Sequence, residues 1–286
     1  MWCRSVSAFL VVACLSYPTT AGAHSVALVP AQRPLGEAQS EGSEVFERSS
    51  VPPNDHDPRR SDDRGGWVMA AYLGSAHTLA SPVAISQPTL MTNLTFERVR
   101  FEGRSFDPPL YYGGRGGYFM QSRPFLGIEA EFIHLKVYSN PVQQAHVTGV
   151  HKGARVDSEL PLGEIVQRYS ISHGVNLVLF NIALRHGMWR IADAPNGRLI
   201  LTGRVGAGPT LPHTESTVDG RQQEQYEVGR LAWQVAGGAE LDVWKGLYIL
   251  GEYKFTRTRQ HGKISSGTAE SLLRTHHVVF GLSVHF

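Results

Sequence analysis

The chain is nearly without cysteine. Its two, Cys3 and Cys14, both fall in the first 23 residues, and a chain cleaved after them would carry none, which fits a protein that crosses into an oxidising compartment without disulfides. After residue 23 no apolar run approaches the ~18 residues of a transmembrane helix. Charge of one sign is also missing: the formal net charge is +2, too small a field to point to nucleic acid. There is no P-loop, dinucleotide fingerprint or nucleophile elbow. Ser170 and Ser172 lie near His173, but in a regular strand Ser172 and His173 face opposite ways, which weakens a hydrolase reading. The 13 histidines include no pair at a diagnostic metal spacing.

What is present begins with a leader. Arg4, an apolar run from Val6 to Leu15 and Ala21-Gly22-Ala23 read as a secretory signal peptide over residues 1–23. A second reading takes Val11-Val12-Ala13-Cys14 as a lipoprotein box, although the stretch before it is very short for one. Residues 24–65 carry five prolines, many charges and almost no aromatics. Nothing there could bury a core, so they read as a disordered periplasmic arm.

Residues 66–286 alternate between polar and apolar in pieces separated by polar turns, as the strands of an outer-membrane barrel do. In the last eleven residues Val278, Phe280, Leu282, Val284 and Phe286 share one face, while His277, Gly281, Ser283 and His285 share the other. Parity yields eight strands: Trp67–His77, Leu110–Met120, Phe125–Tyr138, His173–Gly187, Arg198–Gly208, Leu231–Val243, Leu247–Thr258 and Leu273–Phe286. The connections at 121–124, 188–197 and 244–246 are short and those at 78–109, 139–172, 209–230 and 259–272 long. Short turns belong to the periplasmic side and long loops to the outside. Thr92–Phe101 is assigned to an outer loop, as a strand extension above the membrane, because an odd count would break this alternation. The expected fold is therefore all-β, an eight-stranded antiparallel up-and-down transmembrane barrel in the bacterial outer membrane.

A barrel of this size has an interior just wide enough for side chains. The inward phase fills it with Arg115, Glu129, Glu131, Asn181, Arg185, Arg204, Glu240, Glu252 and Lys254. Buried charges must be paired, so these residues read as a polar plug, with Arg115 and Arg185 as partners of Glu129 and Glu131. The plug argues against an open pore, and a charged inner face against a soluble sandwich. Glycines of the Gly113–Gly117 run allow close packing around Arg115 and Tyr118.

The stretch EAEFIHLKVY at 129–138 breaks the pattern, because His134 and Lys136 occupy the outward phase begun by Ala130 and Phe132. About 9–11 residues cross the hydrocarbon. Counted from Pro124, His134 falls near the outer interface and Lys136 just above it, where lipopolysaccharide presents phosphate to a cation. Passive anchoring by Lys136 with a girdle aromatic at Tyr138 is one reading. A bulge near Ile133 that turns His134 inward is another. Tyr169, His173, Asn176, His276 and His277 fall at the same height, with His146, His151, Lys152 and Arg155 in the loop beyond.

Three stretches carry a family resemblance: LTFERVRFEGRSFDPPLYYGGRGGYF, GIEAEFIHLKVY and HGVNLVLFNIALRH. They resemble outer-membrane barrels known as lipid A oxidases, and the layout is similar over about residues 67–286. The resemblance implies oxidation of the proximal glucosamine of lipid A to 2-aminogluconate, with oxygen as oxidant. No organic cofactor motif is readable, and a divalent metal is left open. Carried over, the candidate residues are Phe106, Asp107, Pro109, Tyr111, Glu131, His134, Lys136, Tyr138, Gly174 and Asn176. By that resemblance the catalytic set is His134, Asp107, Glu131 and Asn176, with His134 as base and Asn176 and Asp107 orienting the sugar. The lipid A-binding set is Lys136, Tyr138, Tyr111 and His173, with Lys136 on phosphate. The expected partner is outer-leaflet lipopolysaccharide, met by a monomer. The alternative is a non-enzymatic barrel for membrane integrity or surface interaction. Geometry separates the two, because the enzyme needs His134, Lys136, His173 or Asn176 and the 105–111 segment to converge at the outer rim.

Overall fold

A computed structural model describes residues 64–171, 174–191 and 193–286. The expected signal peptide, nearly all of the arm, Ser172 and His173 lie outside the described residues. Among those described are seventeen strands: β1 (Gly66–Thr78), β2 (Ser81–Gln87), β3 (Thr92–Val99), β4 (Phe101–Glu102), β5 (Tyr112–Met120), β6 (Arg123–His134), β7 (Val137–Ser139), β8 (Gln144–His151), β9 (Ala154–Pro161), β10 (Val166–Ile171), β11 (Leu177–Met188), β12 (Leu199–Pro209), β13 (His213–Val218), β14 (Arg221–Tyr226), β15 (Leu231–Trp244), β16 (Leu247–Ile264) and β17 (Gly267–His285).

Eight of them close a barrel in the order β1, β5, β6, β11, β12, β15, β16, β17 and back to β1, every pair antiparallel. The closing seam runs from Val68 opposite His285 to Thr78 opposite Thr275. These are the eight strands that parity indicates, with two corrections. The expected strand Phe125–Tyr138 stops at His134, and the chain restarts as β7 in a different sheet. The expected loop 259–272 is strand: β16 and β17 run for 18 and 19 residues and meet at Ser265-Ser266. Only about 9–11 residues of each are needed to cross the hydrocarbon, so the hairpin rises well above it.

Outward side chains on the barrel are apolar and exposed, among them Met69, Leu73, Ile128, Phe180, Ile182, Val205, Val235, Ile249, Phe280 and Leu282. Water would penalise such a belt, whereas hydrocarbon accommodates it. Aromatics edge it, with Trp67, Trp244 and Phe286 at the short-turn end and Tyr112, Trp233 and Tyr253 at the other. This is the construction of an outer-membrane barrel.

Inside, all nine expected plug residues are buried. Arg115 faces Glu252 at 3.1 Å and Glu240 at 3.4 Å. Arg204 binds Glu129 at 2.6 Å and also pairs with Glu252. Lys254 reaches Glu131 at 2.6 Å, and Tyr72 donates to the same carboxylate at 2.6 Å. His285 closes the lower end on Glu240 at 2.6 Å. One expected partner differs. The guanidinium of Arg185 donates to the carbonyls of Pro124 and Arg64 at 2.8 and 2.6 Å and lies over Phe119, so Arg204 stands where Arg185 was expected among the carboxylates. Gly113 makes room for this network: a Cβ there would sit 2.4 Å from the Tyr72 ring that reaches Glu131.

Above the barrel the long connections fold into a second layer, here called the roof. The upper part of β17 pairs with β2, and β3, β8 and β9 extend that sheet. The region 92–102 is thus strand above the membrane, as expected. A smaller sheet, ordered β14, β13, β10, β7, β4, packs beside it. Between the two lies an apolar core that includes Val83, Ile85, Leu94, Phe96, Val147, Ile171, Val218 and Leu273. A hydrogen bond between the hydroxyls of Tyr169 and Ser271 at 3.0 Å ties one sheet to the other.

Candidate functional site at the outer rim

The site is built where the barrel wall hands over to the small sheet. Pairing between β5 and β6 is regular from Tyr112 opposite His134 down to Phe119 opposite Gly127, so no bulge occurs at Ile133 and His134 keeps its outward phase. Its ring stacks on Tyr112 directly across the ladder, with centroids 4.8 Å apart. Nδ1 of His134 lies 2.8 Å from Oδ1 of Asn176. Gly174 closes over the ring: its φ is +105°, and a Cβ there would come within 2.5 Å of the imidazole. Only glycine meets both demands. Asn176 also has positive φ, +42°, and its amide donates to the carbonyl of Leu211. The 174–176 turn thus joins β6, β11 and the segment leading to β13.

One turn higher, the Lys136 ammonium donates to the carbonyl of Asp107 at 2.7 Å. The 103–110 segment folds down over the small sheet here and places Arg104 4.5 Å from the Tyr138 ring centroid. Burial lowers Lys136 below the ordinary lysine value; the nearby Asp107 charge opposes that shift and Arg104 reinforces it. Burial raises Tyr138 above the ordinary phenol value.

Register across the small sheet continues this face. Glu102 opposes Tyr138, Tyr138 opposes Ser170, Ser170 opposes Glu215 and Glu215 opposes Glu224. Arg168 pairs with Glu215. His213, two residues below Glu215, stacks on Tyr226 with centroids 4.0 Å apart, and its backbone N–H donates to the carbonyl of Gly174. A polar face of the small sheet thus stands just above the lipid-facing wall.

Of the residues expected at a site, His134, Asn176 and Gly174 come together, and Lys136 meets Asp107. His134 and Lys136 are only 5% and 4% exposed, covered by their own neighbours rather than open to lipid. Tyr138 lies on the same face, half-buried. Phe106 projects from the covering segment with 78% of its surface exposed, and Pro109 follows it in that segment. Two expectations are corrected in place. Tyr111 has the inward phase of Arg115: it is 2% exposed and sits on His277 at the barrel mouth, 3.0 Å from Nδ1, so it does not line the outer wall. Glu131 points into the plug, on the opposite side of β6 from His134, so it is not part of the rim cluster. Sequence reasoning did not single out Tyr112, Arg104, His213, Glu215 or Glu224.

No protein-family model matches the chain, and no curated protein does. Among solved structures, the chain is similar to Neisserial surface protein A, with 8% identity and a TM-score of 0.36 over 78% of this chain and 97% of that one. It is similar to Ail, the attachment invasion locus protein of Yersinia pestis, with 9% identity and a TM-score of 0.32 over 78% of this chain and 98% of that one. It is also similar to the outer membrane protease OmpT from Escherichia coli, with 10% identity and a TM-score of 0.36 over 77% of this chain and 97% of that one.

Proposed function

We propose that this outer-membrane barrel engages lipid A from the side at the outer leaflet and oxidises its proximal glucosamine to 2-aminogluconate. The supporting observation is convergence on the outward wall, with imidazole to amide at 2.8 Å and Lys136 held over the same face by the 103–110 segment. In a plug-filled barrel a lipid headgroup has no inner route, so an outward site at headgroup height suits this substrate. His134 takes the proton of the anomeric hydroxyl as base. Asn176 and Asp107 orient the sugar, and Lys136 pairs with phosphate. The anomeric C–H and O–H bonds break as the C1–O bond becomes a carbonyl, and the two electrons and two protons released, one proton by way of His134, reduce oxygen to hydrogen peroxide. Water then opens the lactone, so the sugar gains one oxygen overall.

A second reading draws on the coverage of His134 and Lys136. Held by Asn176 and the Asp107 carbonyl, they would be fastenings that dock the small sheet on the barrel, and lipopolysaccharide would be bound passively. Mass spectrometry of lipid A decides between them, using a deletion strain complemented with wild type or with His134→Ala. A one-oxygen gain on the proximal sugar with wild type alone supports the oxidase and its base. A gain with both keeps the oxidase and removes His134 from its chemistry. Identical lipid A in all strains, with the barrel folded in the membrane, leaves the passive reading.

A further inference from the structure

The β13–β14 hairpin brings together three ligand-bearing side chains that the rim chemistry above does not use. We propose that His213, Glu215 and Glu224 form a binding site for a first-row divalent transition ion on the outer face of the small sheet. Period-two alternation puts His213 and Glu215 on one face of β13, and the register sets Glu224 directly across from Glu215. One nitrogen of His213 and one oxygen from each glutamate lie within 4.8 Å of one another. Nε2 of His213 is 2.9 Å from Oε1 of Glu224, and Nδ1 is 4.0 Å from Oε1 of Glu215. Ligands around an ion held at about 2.0–2.2 Å lie roughly 3–4 Å apart, so a contraction below about 1 Å would close the set.

Three features make this more than a coincidence of polar groups. Two carboxylates directly opposed across a ladder repel each other, and a cation between them adds to the compensation that Arg168 already gives Glu215. Arg168 pairs with Oε2 of Glu215, while Oε1 is the oxygen turned toward the imidazole, so the arginine orients the ligand without occupying its coordinating position. Stacking on Tyr226 and the backbone bond to Gly174 fix the imidazole plane. One imidazole with two carboxylates suits manganese, iron, cobalt or zinc better than calcium, which prefers oxygen alone. Three protein ligands also leave positions open. Glu224, with half its side chain exposed on the edge strand β14, gives the ion its entry from solvent.

The test is a Co²⁺ titration of the full chain folded in detergent micelles, followed by visible absorption and calorimetry. Wild type is expected to bind one ion tightly with a ligand-field band. Glu224→Gln, at a half-exposed edge position that the fold tolerates, is expected to weaken binding at least ten-fold. His146→Gln, which removes a separate imidazole paired with Asp157 at 3.2 Å, is expected to leave it unchanged. Equal affinity for wild type and Glu224→Gln overturns the site. So does an equal loss in both variants, or the absence of a stoichiometric event in wild type. Because the readout is binding without lipid A, its failure is distinct from failure of the oxidase reading.

Discussion

The barrel and the roof are filled with opposite chemistry. The barrel interior holds Glu129, Glu131, Glu240 and Glu252 against Arg115, Arg204 and Lys254, while the roof holds Phe96, Leu94, Ile85, Val147 and Ile171. The difference follows from what lies outside each. The barrel gives its apolar side chains to lipid, so parity leaves only polar positions for the inside. The roof stands in water, so the same alternation turns its apolar side chains inward. One chain with one periodicity thus makes an inside-out layer and an ordinary one, joined through β16 and β17.

This contrast can be broken at either end. The largest effect is expected from Arg115→Met, which leaves buried carboxylates short of a counter-charge. Removing one member of a buried ion pair costs about 3–5 kcal/mol, and the loss is read as a lower urea midpoint for the heat-modifiable gel shift of the folded barrel. Phe96→Ala is expected to cost about 3 kcal/mol through its cavity, but in the roof alone. Limited trypsin digestion should then cut the 139–172 region while the gel shift stays as in wild type. If the gel shift falls as well, the two layers are one cooperative unit. Asn176→Ala removes the bonds to His134 and Leu211 at the junction and is expected to cost about 1–2 kcal/mol, seen as faster amide exchange in 174–177.

The smallest effect belongs to Asp219→Asn at the tip of the β13–β14 hairpin. Burial raises the Asp219 carboxyl, but hydrogen bonds from His151 and Lys152 outweigh it and hold the group below the ordinary carboxylate value. Its stabilisation is therefore present above the ordinary carboxylate value, about pH 4, and is lost as pH falls through the lower folded value. At pH 7 the variant's roof should unfold about 0.5–1 kcal/mol sooner. In strong acid wild type and variant should coincide.

The barrel was legible because its signal is local. Alternation over ten residues names a strand and its inward face, and the plug could be read residue by residue. The roof was less legible because its strands are short and its pairings distant. The segment at 213–226 read as a loop, yet Val218-Asp219-Gly220-Arg221 carries a hairpin signal. Asp219 and Gly220 both have positive φ, at +48° and +73°, as a two-residue turn on twisted strands requires. Reading that dipeptide would have set Glu215 across from Glu224 from sequence alone. Strand neighbours brought Asn176 near His134, but nothing local announces that the 103–110 segment folds down onto Lys136. Tyr111 shows the opposite case, since parity with Arg115 would have placed it inside had the resemblance not placed it on the wall.

Residues 267–285 hold both layers at once. β17 closes the barrel against β1 along its lower part and starts the large roof sheet against β2 along its upper part. Neither layer has a complete edge until this strand is in place. Without it β1 and β16 are left as the two open edges of the barrel, and β2 loses its tie to the barrel wall. A copy interrupted before residue 267 has therefore lost the barrel seam and the roof's foundation together.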